Sequence, residues 1–141
     1  MHAVALAGRI IFSLMFVQSG INHFRNRRYM AEYAGQMGVP VPHASVVFSG
    51  AVIFAGAIMV MAGIWGDMGA LLLAAFLVVT AFRMHPHWKM RDPQAKQNNH
   101  INFWKNISMA GGALVTAAWF MCAPHALAVT APLLSHWLKT G

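Results

Sequence analysis

Acidic residues and cysteines are scarce in this sequence. Only three of its 141 residues are Asp or Glu, and Cys122 is its single cysteine. One cysteine excludes an intrachain disulfide and a cysteine-rich metal site. Charged residues make up 9% of the chain, against about 25% in typical soluble domains. The composition therefore excludes an ordinary soluble protein.

Hydrophobic residues account for 58% of the chain, which predicts a membrane protein. The formal net charge of +7 would indicate nucleic-acid binding in a soluble protein. In a membrane protein it is better explained as loop charge that orients the chain in the bilayer. We therefore expect the lipid bilayer as a partner and no nucleic acid.

Four apolar segments approach the ~20 residues that a membrane-spanning helix needs. They predict an all-α membrane protein, a four-helix transmembrane bundle that forms one domain over residues 1–141. The predicted spans are residues 3–24, 43–63, 66–85 and 101–123, followed by a surface tail, residues 124–141. A cleaved signal peptide is the alternative for the first segment, but its charge, Arg9, lies inside the apolar run and no A-x-A pattern closes it.

The first loop, residues 24–42, begins with basic residues and ends in Gly38 and two prolines. Between them, Tyr29, Tyr33 and Met37 recur at helical spacing. This pattern predicts a short amphipathic helix at the membrane interface, which the prolines stop.

Small residues predict where the spans pack together. Ser49 and Gly56 in the second span allow neighbouring backbones to come close. In the fourth span, Ser108, Gly112 and Thr116 recur every four residues and predict a second packing stripe.

Basic residues concentrate in the first and third predicted loops. Of the ten Lys and Arg residues, only Arg9 and Lys139 lie elsewhere. The positive-inside rule therefore places both loops in the cytoplasm and both termini outside. The third loop belongs to the longest polar interval of the chain, residues 83–106.

Arg9 lies within the first apolar segment, where a charge costs about 2.5 to 3.5 kcal/mol at the membrane centre on insertion scales. Asp67, in the turn before the third span, is the only acid that this topology places on the same side. The sequence thus predicts an ion pair between Arg9 and Asp67. Snorkelling of Arg9 to lipid phosphates is the alternative.

Polar side chains around the third loop form the candidate ligand site. Imidazole, amide and ammonium groups beside aromatic rings suit a quinone or a lipid headgroup. The proposed residues are His85, His87, His100, Asn102, Trp104 and Lys105. Helix capping and structural hydrogen bonding are the alternative roles. A metal or haem bound by His85, His87 and His100 is a weaker alternative, because no carboxylate or thiolate accompanies them in a known spacing.

Three motifs in this order resemble the DoxX family of small four-helix bacterial membrane proteins. They are GRIIFSLMFVQSGINHF at residues 8–24, GVPVP at 38–42 and DPQAKQNNHINFWKNISMAGGAL at 92–114. The resemblance covers roughly residues 7–118. Many members carry an acid ahead of the glycines in the second span, where this chain has Phe48-Ser49-Gly50. Arg9 therefore cannot find its partner there.

The resemblance implies a four-helix transmembrane bundle in the bacterial inner membrane. The family name comes from a subunit of a thiosulfate:quinone oxidoreductase, so a quinone is the candidate cofactor and a membrane redox protein the candidate partner. Because the chain has no nucleophile and base pair and no nucleotide motif, we do not expect it to catalyse a reaction alone. The function predicted is an accessory or anchoring subunit of a membrane redox system. A quinone-linked oxidoreductase component and a ligand-free scaffold that forms homo-oligomers are the alternatives.

Overall fold

The computed structural model describes residues 2–122, 128–130 and 132–134. These residues form α1 (His2–Arg25), α2 (Arg27–Gln36), α3 (Pro42–Ala62), α4 (Gly66–Met84) and α5 (Pro93–Cys122), with a 3-10 turn at His87–Lys89. No strand occurs in this part of the chain. The all-α class is confirmed, and the described helices number five, while a bundle of four transmembrane helices is not confirmed.

Three helical segments are long and apolar enough to cross a membrane. They are Ala3–Arg25, Pro42–Ala62 and Gly66–Lys89. The fifth helix is 30 residues long, but its first half is polar. The fourth span therefore stays a prediction. The predicted surface tail, residues 124–141, lies largely outside the described residues.

The first loop contains the short helix that the sequence predicts. α2 begins directly after α1, and its Met30 N–H bonds the carbonyl of Asn26 at 3.0 Å. Ala31 and Ala34 are buried on one face of α2, where they cluster with Val46 of α3. Small alanines on that face let α2 lie close against α3.

The long helices pack in the order α1 on α3, α3 on α4 and α4 on α5. Their shared core includes Phe16, Ile53, Leu73, Leu77, Ala113 and Phe120. α3 and α4 come closest at Gly56 and Gly69, where a Cβ on Gly69 would lie 2.8 Å from the Gly56 carbonyl oxygen. Only glycine permits this close approach of the two helices, as the sequence predicted for Gly56.

The packing stripe predicted on α5 is wrong. Ser108 and Gly112 are exposed, and the Thr116 hydroxyl bonds the carbonyl of Gly112 within its own helix at 2.9 Å. α5 instead buries an alanine stripe, Ala110, Ala113 and Ala117. Both sets are small and helically spaced, so size alone could not decide which face meets the protein.

The polar stretch that we expected to be a loop is helical from Pro93 onward. The Asp92 carboxylate accepts a hydrogen bond from the Ala95 N–H at 2.7 Å. An Asp N-cap followed by proline in the first turn is a common helix start, and here it outweighs the polarity of the following residues. The fifth helix therefore begins eight residues before the predicted span.

Candidate ligand-binding groove

A groove of about 1040 Å³ lies at the end of the bundle where α1 ends and α5 approaches α4. All five helices contribute to it, and it runs between the second half of α1 and residues 105–109 of α5. Most of its wall is apolar. The apolar lining includes Met15, Phe16, Val46, Phe48, Val52, Leu72, Phe76, Leu77 and Met109. A cavity of this size and lining suits the hydrocarbon part of a small amphipathic ligand.

Two polar side chains in the wall are more than nine-tenths buried. His23 and Asn106 are each 8% exposed. His23 Nδ1 lies 2.8 Å from the Ser19 carbonyl oxygen, and its ring meets Phe76 edge-on with centroids 6.2 Å apart. Asn106 Nδ2 donates to the carbonyl of Asn102 at 3.0 Å.

Glycine at position 50 makes room for His23. A Cβ at Gly50 would lie 2.7 Å from the Cβ of His23, which is too close for any other residue without a shift of the helices. The contact between α1 and α3 therefore both buries His23 and holds it at the groove.

Of the six residues predicted for the site, two line the groove: His85 and Lys105. His85 Nδ1 lies 3.1 Å from Asn99 Oδ1, which ties the end of α4 to the start of α5. Lys105 Nζ donates to Asn102 Oδ1 at 3.0 Å. Asn102 thus orients a groove residue but is not in the lining.

The other three predicted residues belong to an aromatic cluster outside the groove lining. The rings of His87 and His100 meet edge to face with centroids 4.8 Å apart, and His87 also meets Phe103 at 5.3 Å. Trp104 lies 6.4 Å from His100 and is half exposed. Such edge-to-face contacts stabilise the loop between α4 and α5. Within the described residues, no three His, Cys, Asp or Glu side chains are arranged to hold a metal ion.

Sequence reasoning missed His23 and Asn106 as site residues. A usable signal existed in α1, where the buried residues Arg9, Ser13, Phe16, Gly20 and His23 recur every three or four positions. That spacing marks one face of a helix and places His23 on it. For Asn106 the signal was weaker, because several amides surround it.

Tyr29 and Tyr33 of α2 also line the groove. Burial, with the nearby Tyr29 adding to it, raises the pKa of the Tyr33 phenol above its ordinary value. Tyr33 therefore stays protonated at neutral pH and can both donate and accept a hydrogen bond at the groove.

Arg9 and Asp67 both lie at the end of the bundle opposite the groove, but they form hydrogen bonds with different groups. Arg9 donates to the Met61 carbonyl at 3.0 Å, near the end of α3, and its guanidinium lies 5.3 Å from the Phe120 ring centroid. Asp67 is fully buried and accepts from the N–H groups of Leu133 and Leu134 at 3.1 and 2.7 Å. The Arg9 to Asp67 ion pair stays a prediction that no contact between the described residues supports.

The family model named DoxX matches residues 4–86, which is more than half of the chain. The chain belongs to the DoxX family. Two of the three motifs that carried the resemblance lie within the matched residues, while residues 92–114 lie beyond them.

Two inner membrane proteins of Escherichia coli (strain K12) are similar to this DoxX-family chain. Inner membrane protein YphA is 30% identical over 112 residues, which cover 79% of this chain and 79% of that protein. Inner membrane protein YqjF is 26% identical over 132 residues, covering 94% of this chain and 93% of that protein. No solved structure matches the chain. The chain is thus a DoxX-family membrane protein whose relatives are inner membrane proteins.

Proposed function

We propose that this DoxX-family protein holds an amphipathic ligand, a quinone or a lipid with a hydrogen-bonding headgroup, in the groove between α1 and α5. The observation that carries the proposal is the burial of His23 and Asn106 in the wall of a largely apolar cavity of about 1040 Å³. Each side chain uses one nitrogen on a backbone carbonyl of its own helix and keeps a second polar atom, so a ligand that bonds this second atom gains affinity and orientation. The apolar wall accepts the tail.

The proposal includes a fourth span, made by the second half of α5. After Asn106 the helix carries no charge up to Cys122, and it packs along α4, which is apolar enough to span. With four spans, the arginines after α1 and the basic residues around residues 83–105 share one side, which the positive-inside rule assigns to the cytoplasm. Both termini then lie outside. Reporter fusions at each end test this, since an active cytoplasmic reporter at either terminus contradicts the arrangement.

In this proposal the protein is an accessory or anchoring subunit of a membrane redox system. Arg83 and Lys105 are exposed groove residues and give its mouth a positive charge. Because the sequence contains no nucleotide motif, redox catalysis at the groove requires an electron-carrying partner protein. A quinone-linked oxidoreductase component is the second candidate, favoured by the same groove. A scaffold without a ligand makes no use of the buried His23 and Asn106.

The direct test is extraction of bound lipids and quinones from gently solubilised protein, quantified by mass spectrometry. We expect about one ligand molecule per chain. Ala75→Trp, on α4 in the groove lining, should displace it by filling the groove, whereas Val78→Trp, on the same helix outside the lining, should not. A folded wild-type protein that carries no stoichiometric lipid or quinone and forms a stable dimer contradicts the ligand proposal and favours the scaffold.

A further inference from the structure

We infer that the groove selects the reduced form of its ligand, a quinol with hydroxyl donors, over the quinone with carbonyl acceptors. The inference rests on the proposed function, because it concerns the same groove. Its basis is that the most deeply buried polar side chains in the wall use their N–H groups on the protein and present acceptors to the ligand.

His23 shows this first. A carbonyl oxygen can only accept, so the 2.8 Å contact between His23 Nδ1 and the Ser19 carbonyl places the proton on Nδ1. In a neutral imidazole the other nitrogen, Nε2, is then an acceptor. No described residue donates to this Nε2. Because His23 lines the groove, its Nε2 is an acceptor available to a ligand there.

Asn106 likewise donates to the protein and keeps an acceptor for the ligand. Its Nδ2 donates to the Asn102 carbonyl at 3.0 Å, and that contact fixes the orientation of the amide because a carbonyl cannot donate. Its Oδ1 points away from that bond and has no donor among the described residues. The second buried polar group of the wall is therefore also an acceptor.

Hydrogen bonds that link Ala95, Asn99 and His85 give His85 the same tautomer as His23, with the proton on Nδ1. Asn99 Nδ2 donates to the Ala95 carbonyl at 2.9 Å, so Asn99 Oδ1 is the atom that faces His85. At 3.1 Å from that oxygen, His85 Nδ1 carries the proton and leaves Nε2 as an acceptor. Two histidines and one asparagine, from three different helices or their ends, thus share one hydrogen-bonding polarity.

Two serines in the wall also donate to the protein and keep an acceptor for the ligand. Ser49 donates to the Val46 carbonyl at 3.0 Å and Ser45 to the Pro40 carbonyl at 2.8 Å, which leaves their oxygens as acceptors. The lining side chains Tyr33, Arg83 and Lys105 can donate, but Tyr33 is half-buried and the two cations are exposed, so all three are less buried than His23 and Asn106. A quinone head placed against His23 and Asn106 would face acceptor with acceptor, whereas the two hydroxyls of a quinol satisfy both.

The test compares decylubiquinol with decylubiquinone, each titrated anaerobically into the purified full-length protein and followed by calorimetry. We expect the quinol to bind about tenfold more tightly than the quinone, the order expected from one or two buried hydrogen bonds. Asn106→Leu removes one acceptor and should lower quinol affinity by about fivefold to tenfold while leaving quinone affinity unchanged. The unchanged quinone binding also shows that this variant is folded.

Two matched controls separate the groove from the rest of the chain. Asn98→Leu changes the same residue type on an exposed turn of α5, and His43→Phe is the exposed counterpart of His23→Phe. Both controls should keep the tenfold preference, and His23→Phe should lose it. Equal or tighter binding of the quinone by the wild-type protein overturns the inference and leaves the proposed function standing. Failure of both probes to bind the wild-type protein overturns this inference and the quinone form of the proposed function, and leaves a lipid as the only ligand for the extraction experiment to find.

Discussion

The Asp67 carboxylate accepts a hydrogen bond from the Leu134 backbone N–H at 2.7 Å, across 67 positions of sequence. Asp67 lies in the first turn of α4, where a negative charge is favourable at the helix N-terminus. Close by, Thr130 Oγ1 accepts from the Trp65 N–H at 2.8 Å. These contacts hold Thr130, Leu133 and Leu134 at the turn between α3 and α4. Trp65 keeps a left-handed conformation there, with φ of +47°, which costs energy in a residue other than glycine.

Replacement of Asp67 by Asn is expected to lower thermal stability. The variant keeps the side-chain size but loses a charged acceptor that two backbone N–H groups share, which corresponds to about 1.5 to 3 kcal/mol. Glu32→Gln removes the same charge at an exposed site on α2 and should have little effect. Melting in detergent, followed by tryptophan fluorescence, measures both. Equal melting temperatures for the two variants would show that the contact with residues 133–134 does not contribute.

Replacement of Arg9 by Met is expected to destabilise the same end of the bundle by about 1 to 3 kcal/mol. The Met61 carbonyl belongs to the last turn of α3, which lacks partners within its own helix, and it would lose its donor. Arg25→Met, at the exposed end of α1, is the control. The predicted ion pair between Arg9 and Asp67 requires, in addition, that the two side chains be energetically coupled. A coupling above about 0.5 kcal/mol in a double-mutant cycle with Asp67→Asn would support it.

Much of the fold was predictable from the lengths of the hydrophobic runs and from the glycines and prolines that end them. The apolar runs predicted α1, α3 and α4, and the prolines after Gly38 predicted the end of α2. The start of α5 was missed because Lys96, Asn98 and His100 looked like loop residues, although Asp92 and Pro93 carried a capping signal. The face of α5 was missed for a different reason. The set Ser108, Gly112 and Thr116 and the buried alanines are both small and helically spaced, so the sequence alone does not show which set faces a neighbouring helix.

Replacement of Gly69 by Ala is expected to disrupt the contact between α3 and α4. The added Cβ would lie 2.6 Å from the Cβ of Met59 and 2.8 Å from the Gly56 carbonyl oxygen, so the helices must separate. We expect a loss of about 1 to 3 kcal/mol from overpacking. Gly111→Ala on α5 meets nothing within 4 Å and should be neutral or stabilising by up to about 1 kcal/mol, the difference in helix propensity. Similar melting temperatures for the two variants would contradict the close approach.

The candidate site was only partly visible in the sequence. His85 and Lys105 lie within the polar interval and were found, whereas three helices, α2, α3 and α4, separate His23 from them in the sequence. Its position at the groove depends on Gly50, which lets α3 approach α1. The tautomers of His23 and His85 depend on carbonyl and amide oxygens that only the folded helices bring within reach. Hydrogen-bond polarity, which decides the ligand form in our proposal, therefore required the structure.

Variants of His85 and His100 test whether the ligand binds in the groove or at the aromatic cluster. His85 lines the groove, and its unprotonated Nε2 is an acceptor there, so His85→Leu is expected to weaken decylubiquinol binding about fivefold to tenfold. His100 meets His87 edge to face at 4.8 Å outside the lining. His100→Leu should therefore leave binding within about twofold, while the loss of its ring contacts with His87 and Trp104 costs about 0.5 to 1.5 kcal/mol of stability for each contact. Calorimetry and melting on the same samples measure both quantities. An equal loss of binding in the two variants would mean that the ligand reaches the cluster, as the six-residue site predicted from sequence requires.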